Sequence, residues 1–459
     1  MFPLSLRQLA SALALQVDSD IVVSGLSTDS RAISAGDVFV ALRGENFDGH
    51  AFLAKAKESG AVAAVVEEVQ SDVDLPQLKV PDCYAALASI AQMFRQSFKG
   101  PLVGITGSSG KTTVKQMLAS IFSRLGPTLA TKGNLNNHIG VPLTLMGLQS
   151  DTQYAVIEMG ASGPGEIAYL SSIAKPGVVM VNNVMAAHLE GFGSLEGVAM
   201  AKGEIYQGLD ASAKAVINED CEYADRWASG LAESQIVRYS CGSPQADIFA
   251  CDIELQDDAC YAFELRTPIA SAHVRLAMPG RHNVANALAA ASCAYACSVS
   301  LDTIVEGLQS AKNAGGRMQR HKHSSGAEII DDSYNANPGS VQAAIDMLAD
   351  QKGKTILVLG DMGELGSEEK KLHKQIGRYA EDKNISVLYC VGTLSKHAAK
   401  HCKVGEHFAD KAALLEKLQK ELAEQCTVLV KGSRSAAMET VVQALLSDSE
   451  NGQSTGASC

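Results

Sequence analysis

From about Asp82 onward, short apolar runs rich in β-branched residues alternate with stretches of helical period. "PLVGIT" precedes a helix starting at Lys111, and "YAVIEMG" precedes "PGEIAYLSSI". "GVVMVNNV" precedes a helix around Glu196 to Gln207, and "AKAVIN" follows it. Strands alternating with helices predict a parallel sheet with right-handed crossovers. Residues Ile236 to Met278 break this rhythm and predict several short strands in an antiparallel appendage, after which "GRHNVANALAAASCAYA" returns to helix. A second α/β unit begins near Gly326. Its strands "AEIIDDSYNANP", "KTILVLGDMGELG", "SVLYCVG" and "CTVLVKGS" each end in polar residues, as in an open sheet whose ligands lie beyond the strands' carboxyl ends.

The first 80 residues mix a short amphipathic helix, "MFPLSLRQLASALALQ", a strand over Ala61–Val66 and the turn-rich "STDSRAISAGDVFVALRGENFDGH". The polar run "QSDVDLPQLKVPD", with two prolines, reads as a boundary, and the tail "SDSENGQSTGASC" reads as disordered. The expected class is α/β in three domains: a small mixed α/β N-terminal domain (1–81), a central parallel-sheet domain (82–312) and a C-terminal Rossmann-like α/β domain (313–459). A length of 459 residues agrees, being too long for one ordinary core.

Composition narrows the function classes. Hydrophobic residues at 46% and charged residues at 20% describe a soluble globular protein, and a net charge of -12 leaves no basic footprint for nucleic acid. The longest apolar runs, such as "AVAAVV", fall short of the roughly 20 residues that span a bilayer. The N-terminus lacks the basic start and apolar centre of a signal peptide. Eleven cysteines without a CxxC pair suit reduced thiols in the cytoplasm, not a disulfide framework or zinc site.

The chemistry starts at "GITGSSGKTTVK", Gly104 to Lys115. A glycine-rich turn between strand and helix, with Lys111 and Thr112 at the helix start, suits polyphosphate. The backbone can approach the phosphates, Lys111 adds a point charge and Thr112 a hydroxyl for Mg²⁺. The spacing departs from the common phosphate loop, because five places before Gly110 stands Ile105. Glu158 ends an apolar strand, where a carboxylate needs a partner; a metal shared with Thr112 is favoured over capping of the helix near Pro164. His188 and Glu190 lie in a glycine-rich loop, and Lys202 on the next helix. Spacing alone leaves His188 either structural or functional, and Lys202 either a solvated helix residue or a functional one. Arg317 in "GGRMQR" either reaches a transferring phosphoryl group or pairs with a surface carboxylate. Asp331, Asp332, Asn335 and Asn337 in "DDSYNANP" either bind ribose or make turns.

Together these residues resemble the Mur ligase family, ATP-dependent amide-bond formers of peptidoglycan synthesis, from about Ser27 to Ala437. The family's loop is a short one of the form TGTxGKT or TGSxGKT, which "TGSSGKTT" matches from Thr106 to Thr113. "TKGNLNNHIGVP", "AAHLEGFGSLEGVAMAKGEI", "DDSYNANP", "GDMGELG" and "LVKGSRSAAME" extend the likeness. The resemblance implies that Thr106, Gly107, Ser108, Ser109, Gly110, Lys111, Thr112 and Thr113 hold ATP, and that Thr112 and Glu158 bind Mg²⁺. It implies a second Mg²⁺ at His188 and CO2-derived carbamylation of Lys202. His282, Asn283 and Asn286 would face the base, Asp332 the ribose, and Arg317 the γ-phosphate. Ser30, Arg31 and Asn46 would cradle a UDP-sugar, Asn134, Asn136 and Asn137 would line the substrate path, and Lys431, Ser433 and Arg434 would meet the incoming carboxylate. Lys111, His188, Lys202 and Arg317 would be catalytic.

The implied substrates are UDP-N-acetylmuramoyl-tripeptide and D-alanyl-D-alanine, joined through an acyl phosphate by a cytoplasmic monomer with no nucleic-acid partner. The readings set against this are a ligase adding the third peptide residue, a folate polyglutamate ligase, a non-synthetic P-loop ATPase and a UDP-sugar binding protein.

Overall fold

The computed structural model describes residues 4–453, in two compact units. The first comprises the chain up to Gly104 with Leu125–Gly160 and Gly165–Gly177; the second comprises Ile105–Arg124, Ala161–Pro164 and the chain from Val178.

The first unit contains a four-stranded parallel sheet in the order Gly25–Ser27, Asp37–Val40, Ala63–Val66 and Gln77–Lys79. Phe39, Ala41, Leu53, Ala56, Ala64 and Val66 form the core beneath it. The fourth strand falls inside the run expected to be a boundary. Burial of Leu78 between two more exposed neighbours makes a short strand of a segment whose polarity and prolines suggested a linker. Ser5 caps the helix Leu6–Ala12 in a capping box with Gln8. Asp82 caps the long helix Cys83–Ser97 by accepting from the Tyr84 and Ala85 amides. Thr128–Ala130 pairs in parallel with Tyr154–Glu158, and Ala155 N donates to Pro101 O at the mouth of the strand Leu102–Thr106.

In the second unit, Val178–Val181, Lys214–Asn218 and Ile236–Ser240 pair in parallel. The last of these corrects the antiparallel reading of the segment from Ile236. Its neighbour Ile248–Leu255 also meets it in parallel, and only Cys260–Arg266 and Ser271–Pro279 are antiparallel. Alternation marks which face is buried and carries no information about strand direction. The helix Lys111–Phe122 packs on His282–Ala296, whose face is almost continuously buried small residues.

The same unit holds a six-stranded sheet: Gln319–Lys322, Glu328–Asp332, Cys426–Lys431, Lys354–Leu359, Val387–Val391 and Gly405–Phe408. All its pairs are parallel except the first. Apolar clusters cover both faces, as expected of a doubly wound sheet. The terminal helix Glu439–Gln453 runs through the start of the tail expected to be disordered, because Val441, Val442 and Leu445 anchor its first turns. Residues 454–459, the rest of that tail, lie outside the described residues. The ten described cysteines are free, and no helix among the described residues is long and apolar enough to cross a membrane. The α/β class with parallel sheets is therefore as the sequence indicates.

Candidate active site

The helix Lys111–Phe122 begins where the sequence places it. Gly110 is its N-cap in the left-handed conformation (φ 74°), with no side-chain hydrogen bond capping the first turn. A glycine N-cap leaves the positive end of the helix dipole uncovered by any side chain of its own. A β-carbon at Gly110 would lie 2.4 Å from Asn182 Nδ2 and 2.5 Å from Asn286 Oδ1. Lys111 Nζ arches back over the loop and donates to Gly107 O at 2.6 Å. Thr112 is buried, Thr113 half-buried, and the buried Thr106 hydroxyl has no hydrogen-bond partner.

Strand Val178–Val181 holds the loop from the side. Ser108 N donates to Asn183 O, Ser109 N to Asn183 Oδ1 at 2.9 Å, and Met185 N to Ser108 Oγ at 2.9 Å. Beneath the loop runs an asparagine chain. Asn182 Nδ2 donates to Ser109 O and to Asn286 Oδ1, while Asn286 Nδ2 donates to Asn283 Oδ1 and Asn283 Nδ2 to Pro279 O. Asn283 and Asn286 are thus buried members of a loop-supporting network. Asn182 and Asn183 were missed by the sequence reading, although "VVMVNN" carries their signal as the first polar residues beyond an apolar strand.

His188 lies past the same strand end, in the left-handed region (φ 54°), with Nδ1 against the Glu364 carboxylate. Burial pushes its pKa below the usual histidine value; Glu364 opposes that shift, and Lys111 and Lys202 reinforce it. The structure therefore brings Lys111, His188 and Lys202 into one electrostatic neighbourhood, where spacing had left two of them ambiguous. Lys202 is 1% exposed on the helix Leu195–Gly203, with Nζ 5.6 Å from the Phe192 ring centre.

The Arg317 guanidinium lies over the Tyr334 ring at 4.2 Å, and Tyr334 N donates to Gly316 O. Tyr334 was not singled out from the sequence, though it stands within "DDSYNANP". Asp332 ion-pairs with Lys431, its register partner on the adjacent parallel strand, and Lys431 also donates to Asn335 O. The His282 pKa is lowered by burial, with the Asp332 charge opposing and the Lys431 charge adding to the shift. Of the trio Lys431, Ser433 and Arg434, the first two are buried, and Arg434 is exposed with Nη1 on Glu439. Asn337 reaches the phosphate loop, its Nδ2 donating to Ser108 O at 3.4 Å.

In the first unit, Glu158 is 2% exposed and accepts from Asn136 Nδ2 at 2.9 Å. Asn137 Oδ1 caps Gly140 N, and Asn134 is exposed. Arg31 folds onto Asp29 through two side-chain hydrogen bonds, which hold the Asp29 carboxyl down at about 2. Ser30 is half-buried beside it. Asn46 is exposed on a turn closed by Gly44 N donating to Phe47 O. That turn rests on Asp48 and His50, which also were not singled out: His50 Nδ1 meets Asp48 at 2.6 Å, and its Nε2 accepts from Glu67 N.

Comparison with known proteins follows the same residues. The profile of the Mur ligase middle domain matches residues 105–294, that of the Mur ligase glutamate ligase domain 316–434, and that of the Mur ligase family catalytic domain 22–95. The chain belongs to the Mur ligase family. It is 45% identical over 455 residues to the UDP-N-acetylmuramoyl-tripeptide–D-alanyl-D-alanine ligase of Escherichia coli K12, covering 98% of this chain and 100% of that one. A crystal structure of MurF from Acinetobacter baumannii superposes with a TM-score of 0.91 at 38% identity, covering 97% of this chain and 99% of that one. MurF from Thermotoga maritima, solved in complex with ADP, gives 0.82 at 27% identity over 93% and 98% of the two chains. The middle-domain match begins at Ile105 and so takes in the short glycine-rich loop.

Proposed function

We infer that this Mur ligase joins D-alanyl-D-alanine to UDP-N-acetylmuramoyl-tripeptide, with ATP converted to ADP and phosphate. The observation that carries the inference is 45% identity along essentially the whole chain to a ligase of that activity. A carboxylate is a poor electrophile toward an amine, so the γ-phosphoryl group is first transferred to the tripeptide carboxylate as an acyl phosphate. The dipeptide amine attacks its carbonyl carbon, and the tetrahedral intermediate expels phosphate. Lys111 and Arg317 offset charge on the phosphoryl oxygens, which is the main catalytic contribution in such transfers. The loop backbone from Thr106 to Thr113 orients the phosphates, with Asn182 and Asn183 holding it rigid beneath. Tyr334, beneath the planar Arg317 guanidinium, holds it in place by a cation–π contact.

Mg²⁺ fits the donors present. Among the described residues no three His, Cys, Asp or Glu side chains cluster as a metal site, and Mg²⁺ commonly takes its remaining ligands from phosphates and water. Thr112, Glu158, His188 and a carbamylated Lys202 would hold it, and it would neutralise phosphoryl charge. The buried position of Lys202 supports carbamylation, since the reaction replaces a buried cation with oxygen donors. Lys202→Ala is expected to lose activity and to recover part of it with formate or acetate; full activity without either removes the carbamate role.

His282 and Asp332 are assigned to the nucleoside side. Ser30, Arg31 and Asn46 are assigned to the UDP-sugar, Asn134, Asn136 and Asn137 to the substrate path, and Arg434 with Lys431 and Ser433 to the dipeptide carboxylate. The division into domains 1–81, 82–312 and 313–459 belongs to the same reading, as do a monomeric state and a cytoplasmic location. The ten free described cysteines support a reducing compartment. The test is coupled phosphate release with UDP-N-acetylmuramoyl-tripeptide, D-alanyl-D-alanine and ATP, each omitted in turn. Release must need all three, and release with a diamino acid and the dipeptide precursor instead would reassign the enzyme to the preceding step.

A further inference from the structure

Asp361 stands two residues beyond the strand Lys354–Leu359. In its sheet that strand lies between Cys426–Lys431 and Val387–Val391 and runs parallel to both. The loops leaving the three strands therefore emerge side by side at one edge, and Asp361 holds the two outer ones. Its Oδ1 accepts from Leu394 N at 3.0 Å and Ser395 N at 2.7 Å. Its Oδ2 accepts from Thr393 N at 2.9 Å and Thr393 Oγ1 at 3.3 Å. On the opposite side its carbonyl oxygen accepts from Ser433 N at 2.8 Å, and Gly360 N donates to Lys431 O at 2.8 Å.

Capping a helix does not account for this arrangement. The turn at 393–395 opens a helix of four residues, Lys396–Ala399, whose own N-cap residue is Ser395. A serine at that position ordinarily caps locally. Here its hydroxyl is buried without a hydrogen-bond partner, and a carboxylate 34 positions earlier takes the amides. The contacts leave no slack. Gly392, at φ 131°, brings the turn so near that a β-carbon would lie 2.3 Å from Asp361 Oδ1, and one at Gly432 would lie 2.5 Å from Met438 Cγ. His373 Nε2 accepts from Met362 N at 3.0 Å, so the backbone bearing the carboxylate is itself anchored. Carboxyl ends of parallel strands are where open sheets bind ligands, and groups that meet a ligand there need support that locks their geometry.

We propose that Asp361 is a positioning residue for the dipeptide subsite. Its carboxylate clamps the 393–395 turn while its carbonyl oxygen fixes the Ser433 amide, so that Ser433 and Arg434 are presented in one geometry. This rests on the assignment of Ser433 and Arg434 to the dipeptide carboxylate. Asp361 acts through Ser433 and not by contact with substrate. Lys431 lies within the strand, held by its ladder and by Asp332, so the nucleoside side is insulated from the clamp.

The experiment measures phosphate release by the full chain, with ATP, UDP-N-acetylmuramoyl-tripeptide and D-alanyl-D-alanine varied in turn. Asp361→Ala is expected to raise the KM for the dipeptide roughly ten- to hundredfold. The KM values for the other two substrates should stay within about twofold, and kcat should fall far less than kcat/KM for the dipeptide. Asp361→Asn keeps an acceptor for Leu394 and Ser395 and should give a smaller rise; it carries the test if the alanine variant does not fold. A wild-type dipeptide KM alongside a lowered thermal midpoint would make Asp361 purely structural and overturn the proposal. An equal rise in all three KM values would do the same. Adding Ser433→Ala to Asp361→Ala should change the dipeptide KM little beyond the larger single effect, whereas multiplying effects would show that Asp361 does not act through Ser433. A wild-type dipeptide KM in both Ser433→Ala and Arg434→Ala would instead overturn the assignment of that loop, and the proposal with it.

Discussion

Gly110 concentrates the demands placed on the phosphate loop. Its left-handed φ of 74° and its approach to Asn182 and Asn286 leave no room for a β-carbon. Gly110→Ala is therefore expected to combine backbone strain of about 1–3 kcal/mol with displacement of two buried amides. ADP affinity measured by calorimetry should fall at least about tenfold. Near-wild-type binding would show that the loop can shift without consequence. The glycine itself was legible, because a strand, a glycine-rich turn and a lysine at a helix start have one chemical use. Its contacts with Asn182 and Asn286 were not, since those residues come from positions far along the chain and only the fold puts them side by side.

Elements carry two further expectations. His373, fully buried on the helix Glu369–Asp382, bonds Glu369 O through Nδ1 and accepts from Met362 N through Nε2, which suits the neutral ring. Burial lowers its pKa from 6.5. The folded state thus holds fewer protons here than the unfolded chain. This contribution is complete above pH 6.5 and is lost as pH falls through the lowered value. From pH 7.5 to 5.5 the wild type should lose more stability than His373→Gln, read as a larger fall in the denaturant midpoint. Exchange of the Met362 amide should quicken over the same interval.

The second expectation concerns the Asp332–Lys431 pair, which ties two neighbouring strands at their carboxyl ends. Lys431→Met leaves a buried carboxylate without its cation and should cost about 3–5 kcal/mol, with most recovered when Asp332→Leu is added. A denaturant midpoint unmoved by the single change would refute this. Each residue was visible as polar at a strand end, but pairing depended on register. "CTVLVK" inserts between "AEIIDD" and "KTILVL" in space while following both in sequence.

At the scale of the whole molecule, ligand binding and folding are coupled. The second unit joins the phosphate loop with the strands that carry Asp332 and Lys431, so ADP with Mg²⁺ should stabilise it by mass action, about 2.7 kcal/mol at a hundred times Kd. The thermal midpoint should rise accordingly, and Lys111→Ala should abolish the rise together with ADP release in turnover. An equal rise in that variant would remove Lys111 from the nucleotide site.

The chain's local physics determined a good part of this protein by itself. Apolar runs located most central strands of the two α/β regions, and helical periods located the helices that begin near Lys111, Glu166, Leu195 and His282. The glycine-rich turn located the nucleotide loop. Such signals are legible because they reside in contiguous residues. The helices of the second region, such as Pro338–Ala349 and Glu369–Asp382, and its edge strands Gln319–Lys322 and Gly405–Phe408 were not singled out. Strand direction after Ile236, the extra strand at Gln77–Lys79 and the helical start of the tail were settled only by packing against distant partners. The tertiary structure also decided which candidate side chains meet. It set Asn182 beneath Gly110, Tyr334 under Arg317, Asp332 on Lys431 and Glu364 on His188. Each of those contacts joins segments whose separation along the chain holds no trace of their proximity, because hydrogen bonds and ion pairs act over a few ångströms of space, whatever the distance in sequence.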